Sequence, residues 1–118
     1  MLKKKTFCFD IDNTICKTPG NNYSRSVPIK KAIKVINLLF DRGHTIKLYT
    51  ARYMGRNKDN VSKAKKQGRK FILNQLEKWN VKYNYLYMGK PSYDLLIDDK
   101  SLFFKKNWPN YFLENFLL

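Results

Sequence analysis

The run Phe7-Cys8-Phe9-Asp10-Ile11-Asp12-Asn13-Thr14-Ile15-Cys16 constrains this chain more than any other stretch. It begins apolar and β-favouring, and it ends in two carboxylates one residue apart with a hydroxyl beyond them. Side chains of a strand alternate faces, so Asp10 and Asp12 share a side if the strand continues. Two like charges that close repel unless a cation holds them. A hard divalent cation of the magnesium type suits such oxygen donors.

The rest of the chain alternates strand and helix patterns. Thr6 to Ile11 reads as a first strand buried on both faces, hence a central parallel one. Thr18-Pro19-Gly20-Asn21-Asn22 is a loop by its breakers. A helix opens near Pro28, with Ile29, Ala32, Ile33, Ile36, Leu39 and Phe40 at helical spacing and Gly43 as its stop. A second strand, about His44 to Tyr49, delivers Thr50-Ala51-Arg52 at its carboxyl end. Tyr53 to Asn60 reads as a polar loop. The helix after it has Phe71, Ile72, Leu76 and Trp79 as its core face and Gly68 as a weak spot. Val81 to Met88 contains a third strand, and Gly89-Lys90-Pro91-Ser92 breaks it. Tyr93 to Ile97 reads as a fourth strand ending in Asp98-Asp99. The tail, Leu102 to Leu118, carries a short helix near Tyr111 to Leu117.

This order predicts an α/β fold: a three-layer, Rossmann-like parallel sheet flanked by helices, in one domain over residues 1–118. One link resists the pattern. Parallel neighbours need a crossover of about a dozen residues, and only a few separate the third strand from the fourth.

With 43% hydrophobic and 15% aromatic residues in 118, a core should form without disulfides or structural metal. The apolar runs are far short of a membrane span, and Met1-Leu2-Lys3-Lys4-Lys5 leads straight into a strand without a signal peptide. A cytoplasmic protein with no membrane partner is expected, its Cys8 and Cys16 reduced thiols. The net charge of +15 would suit a polyanion. Yet the lysines are scattered, and a lysine- and asparagine-rich bias would look the same. The dense block from Arg56 through Lys63, Lys65, Lys66, Arg69 and Lys70 reads as a solvated helix face first, an anion-attracting rim second and a nucleic-acid site third. His44 sits at the wrong end of its strand for a site, Asp94 reads as a turn or cap residue, and Trp79 and Trp108 as core.

Functional groups in open α/β sheets gather at the carboxyl ends of the strands. There stand Asp10, Asp12 and Thr14, then Thr50 and Arg52, then Lys90, then Asp98 and Asp99. Acids, hydroxyls and a lysine in one crevice are what phosphoryl transfer through an aspartyl-phosphate requires. Asp10 can attack phosphorus. Asp10 and Asp98, with the backbone carbonyl of Asp12 and waters, can hold the cation. Asp12 can protonate the leaving group and then activate water. Thr50 and Lys90 can donate to the phosphoryl oxygens. Asp99 would ligate through water or orient Lys90, and Arg52 is evenly a salt-bridge partner or a substrate-phosphate contact.

Asp10-Ile11-Asp12-Asn13-Thr14, then Thr50, Lys90 and Asp98-Asp99, resemble in order the four motifs of the haloacid dehalogenase-like (HAD) phosphatases, across about residues 7 to 101. The resemblance implies a phosphatase rather than a dehalogenase, since Asp12 stands where the phosphatase branch has its acid/base. Leu48-Tyr49-Thr50-Ala51-Arg52 and Gly89-Lys90-Pro91 look like the small capless members associated with capsular polysaccharide biosynthesis. Asp94 to Lys100 is also similar to the 5′(3′)-deoxyribonucleotidases, whose inserted cap has no counterpart between Ile15 and Val27.

The expected activity is therefore a magnesium-dependent hydrolysis of a small phosphomonoester, with a sugar phosphate favoured. Alternatives are a 5′-nucleotidase-like or polynucleotide-end phosphatase, and a receiver-like phosphoacceptor switch with no turnover. Nucleic acid is a less favoured partner than a small molecule. Without a cap, specificity falls to the loops Ile15 to Val27 and Tyr53 to Asn60, or to a neighbouring subunit in a homo-oligomer.

Overall fold

The computed structural model describes residues 3–117; Met1 and Leu2 of the leader reading and Leu118 of the tail lie outside the described residues. Strands β1 (Thr6–Asp10), β4 (Thr45–Thr50) and β5 (Tyr85–Met88) form a parallel sheet in the order β1-β4-β5. A two-residue ribbon, β2 (Cys16–Lys17) against β3 (Val27–Pro28), stands apart from it. Helices α1 (Lys30–Asp41), α2 (Val61–Lys78) and α3 (Trp108–Phe112) flank the sheet, and a π-helical segment, Leu113–Leu117, continues α3. The fold is α/β without a sizeable cap.

Alternation decides which face of the sheet is dry. Phe9, Ile46, Leu48, Thr50, Leu86 and Met88 are buried, while Cys8, Tyr85 and Tyr87 on the opposite face are exposed. Ala32, Ile33, Val35, Ile36 and Leu39 form the buried stripe of α1, spaced as one helical face requires. Gly43, at φ +87°, takes the left-handed turn after the helix at little cost. Phe7 and Phe9 meet the C-terminal aromatics: Phe9 lies 5.2 Å from Trp108, and Phe7 lies 5.2 Å from Phe112 and 4.9 Å from Phe116 between ring centroids. His44 is buried, and its Nδ1 accepts the Lys5 N–H at 3.0 Å, a structural role.

Several expectations need correction. Pro28 sits in the ribbon, and α1 begins two residues later. Phe71 is an exposed residue of α2. More consequentially, Tyr93 to Ile97 is not a strand, and among the described residues β1 pairs with β4 alone. β1 is thus an edge, not a central strand, with Cys8 exposed. The short link accounts for this. A parallel neighbour outside β1 must begin at the opposite end of the sheet, about 20 Å away given strand spacing and rise. The step from Met88 to Tyr93 spans at most about 17 Å. Leu95, Leu96 and Ile97 are instead 78%, 53% and 90% exposed, beside a cavity of about 910 Å³ that β1 shares with them. Among the described residues no helix is long and apolar enough to cross a membrane.

Candidate active site at the strand ends

Parallel pairing brings the sequence-predicted residues to one end of the sheet. Asp10 pairs with Tyr49, and Thr50 with Met88, so β1, β4 and β5 end nearly level. Gly89, at φ +105°, then turns the chain back. A side chain there would meet Val61 at 3.0 Å. The Lys90 N–H donates to the Thr50 carbonyl at 3.2 Å, which clips the lysine to the end of β4. Its ammonium consequently stands 3.5 Å from Asp10 Oδ2.

Asp10 Oδ1 accepts the N–H of Ile11 at 2.9 Å, which leaves Oδ2 turned toward Lys90. Burial raises the Asp10 pKa above the ordinary carboxylate value, and Lys90 and the Ile11 amide only partly counter it. Burial also works against the Lys90 charge, but Tyr93 and Asp10 hold its pKa above the usual lysine value.

Asp12 is held differently. Arg52, fully buried at its side chain, forks onto it. Nε donates to Oδ2 at 2.9 Å and Nη2 to Oδ1 at 2.8 Å. The Thr18 hydroxyl donates to Oδ1 at 2.5 Å. The third arm of the guanidinium, Nη1, donates to Gln75 Oε1 of α2 at 2.6 Å, and Gln75 Nε2 donates to the Tyr23 carbonyl at 2.9 Å. Burial disfavours the guanidinium charge, yet Asp12 outweighs it and raises the Arg52 pKa. Of the two readings of Arg52, the structure has the salt bridge. Thr50 is fully buried, lines neither cavity at this end, and its Oγ1 accepts the Arg52 N–H at 3.0 Å.

Asp10, Asp12, Arg52 and Lys90 line a cavity of about 380 Å³. Its other walls come from Asn21 and Tyr23 on one loop and from Tyr53 and Arg56 on another. The two loops singled out for specificity, Ile15 to Val27 and Tyr53 to Asn60, carry these tyrosines, but nothing in the sequence marks either ring individually. The backbone of Tyr53 is the available signal: φ is +68°, a left-handed conformation uncommon for an aromatic residue.

The late acids are not gathered in. Asp98 and Asp99 are both exposed. Asp98 accepts the Lys100 N–H at 2.9 Å in a local turn. Asp98 does line the 910 Å³ cavity together with Asp10, Asp12, Thr14 and Lys90. Among the described residues no three His, Cys, Asp or Glu side chains come together as a metal cluster. An all-oxygen donor set of two carboxylates on one solvent cavity nonetheless suits a magnesium-type ion, which keeps several waters and takes one or two carboxylates. The Asp12 carboxylate, already spent on Arg52, would contribute only its carbonyl.

No family model and no curated protein matches the chain. Among solved structures it is similar to an MCSG target from Vibrio cholerae, with a TM-score of 0.77 and 24% identity, covering 93% of this chain and 97% of that one. That likeness shows the shared α/β fold.

Proposed function

We propose that this chain is a HAD-like phosphatase that hydrolyses a small phosphomonoester through an aspartyl-phosphate, with a sugar phosphate favoured. The observation that carries the reading is the Lys90 ammonium 3.5 Å from Asp10 Oδ2, at the end of a cavity that also holds Asp12. A nucleophilic carboxylate beside a cation is what attack on a phosphoryl group needs, because both reactants are anions.

Asp10 Oδ2 forms the bond to phosphorus as the ester P–O bond breaks. Lys90 offsets charge that grows on the phosphoryl oxygens. Asp12 Oδ2, which among the described residues accepts from Arg52 Nε alone, keeps a lone pair open to take up a proton from solvent; so loaded, Asp12 gives that proton to the departing alkoxide. Asp12 then receives the proton of the water that cleaves the acyl-phosphate, which restores Asp10. Asp10 and Asp98, with the Asp12 carbonyl, would hold a magnesium-class ion, whose charge lets a dianion approach a carboxylate.

The test is a panel of phosphorylated metabolites and an aryl phosphate assayed with magnesium. Turnover that disappears in Asp10→Asn and with a chelator supports the reading; undiminished turnover in either removes it. Asp12→Asn should slow alkyl esters more than aryl ones.

The Arg52 fork favours a second reading, the phosphoacceptor switch. If Arg52 never releases Asp12 for proton transfer, phospho-Asp10 persists. A stoichiometric acyl-phosphate lasting minutes, with no turnover, would select it.

A further inference from the structure

We propose that Arg56, seated on Tyr23 and Tyr53, binds a second anionic group of the substrate, so that the preferred leaving group carries a carboxylate or another phosphate. This rests on the phosphatase reading for its chemistry but not for its binding geometry.

Three cations line the 380 Å³ cavity, and two are already answered by its acids: Lys90 by Asp10, and Arg52 by Asp12. Arg56 has no carboxylate partner among the described residues. Its guanidinium lies over two rings instead, 5.4 Å from the centroid of Tyr23 and 5.0 Å from that of Tyr53. Stacking of this kind orients the planar fork and leaves its N–H edge for an oxyanion.

The platform is built rather than incidental. Tyr23 and Tyr53 meet edge to face, 5.0 Å between centroids at 65°. Tyr53 keeps its left-handed backbone because its surroundings fix it. Asn57 Nδ2 donates to its carbonyl at 2.7 Å and to Gln67 Oε1 at 2.7 Å, while Met54 is buried at 1% exposure. The Tyr53 ring lies against Gly68 so closely that a Cβ there would stand 1.9 Å from Cε2. The same loop is joined to the Lys90 loop, since Asp59 Oδ1 accepts the Ser92 N–H at 3.3 Å. A left-handed aromatic residue and an unanswered cation thus coincide on the wall of the cavity that contains Asp10, with Gly68 seating the Tyr53 ring.

The test uses matched pairs that differ in one anionic group: 3-phosphoglycerate against glycerol 1-phosphate, and fructose 1,6-bisphosphate against fructose 6-phosphate. Wild type should prefer the doubly anionic member of at least one pair by about 10- to 100-fold in kcat/KM, the size of a charge-assisted hydrogen bond. The pair that responds tells carboxylate from phosphate. Arg56→Gln should collapse that ratio toward one, and Arg56→Lys should restore part of it. A wild-type ratio near one in both pairs, or a ratio that Arg56→Gln leaves intact, overturns the proposal. Should wild type hydrolyse none of the four, kinetics no longer report on Arg56, and the phosphatase reading is judged on the wider panel alone. Calorimetric titration of the same compounds then decides on Arg56, which still requires the tighter binding of the second anion and its loss in Arg56→Gln.

Discussion

Asp10 and Asp12 are two residues apart and chemically alike, yet the fold gives them opposite partners. Lys90 approaches Asp10 at a distance that leaves the carboxylate able to react, whereas Arg52 grips Asp12 through both oxygens. The pH behaviour of Asp10 follows. Its pKa is raised in the folded state because burial disfavours the anion. Any stability linked to this shift is therefore fully present below the unfolded value and is lost as pH rises through the folded one. Activity runs the other way and should increase as Asp10 ionises, because the anion is the nucleophile. Lys90→Met removes the main opposing charge, so carbon NMR of the Asp10 carboxyl should show a further upward displacement. An unchanged titration would disprove the coupling. For Arg52→Met, the loss of the guanidinium leaves a half-buried carboxylate behind. Urea denaturation should show about 3 kcal/mol less stability, discounted from a wholly buried pair for the partial exposure of Asp12.

At the scale of elements, α2 carries a glycine where helices prefer alanine, and the Tyr53 ring explains it. Gly68→Ala would ordinarily stabilise a helix interior by about 1 kcal/mol. With Tyr53 in place it should destabilise by about 1–3 kcal/mol through overpacking. In a Tyr53→Ala background the same substitution should turn stabilising, and a double-mutant cycle measures the difference. Equal effects in both backgrounds would refute the seat. This relation was invisible in the sequence, where Gly68 reads only as a weak point. α1 and β4 were legible because their apolar spacing reports burial directly, whereas β1 was legible as a strand but not as an edge, since its continuous apolar run reads as buried on both faces. Tyr93 to Ile97 has the same apolar look but remains off the sheet, since a strand also needs a link long enough to deliver it. The Arg52–Asp12 fork joins residues far apart in the chain, and its side-chain geometry was beyond any motif. Asp10 and Lys90 were read correctly as neighbours, whereas Asp98 and Asp99, expected at the end of a strand, stand exposed on a segment off the sheet.

For the molecule as a whole, charge dominates. At +15 the lysines repel one another over distances comparable with the Debye length at physiological salt. Raising sodium chloride from about 20 mM to about 500 mM should therefore raise Tm, because screening relieves the compact state more than the expanded chain. A flat or falling Tm would mean that local ion pairs such as Lys82–Asp41 (2.7 Å) outweigh the general repulsion.

Like charge also keeps copies of the molecule apart, and here the bare side of β1 matters. Among the described residues β1 pairs on one side alone, and an edge of that kind, with exposed Leu95 and Ile97 beside the same cavity, is a template for another chain to pair with. Added salt would strengthen each folded copy while withdrawing the repulsion that separates neighbours. Conditions best for stability are thus those in which self-association through that edge should begin.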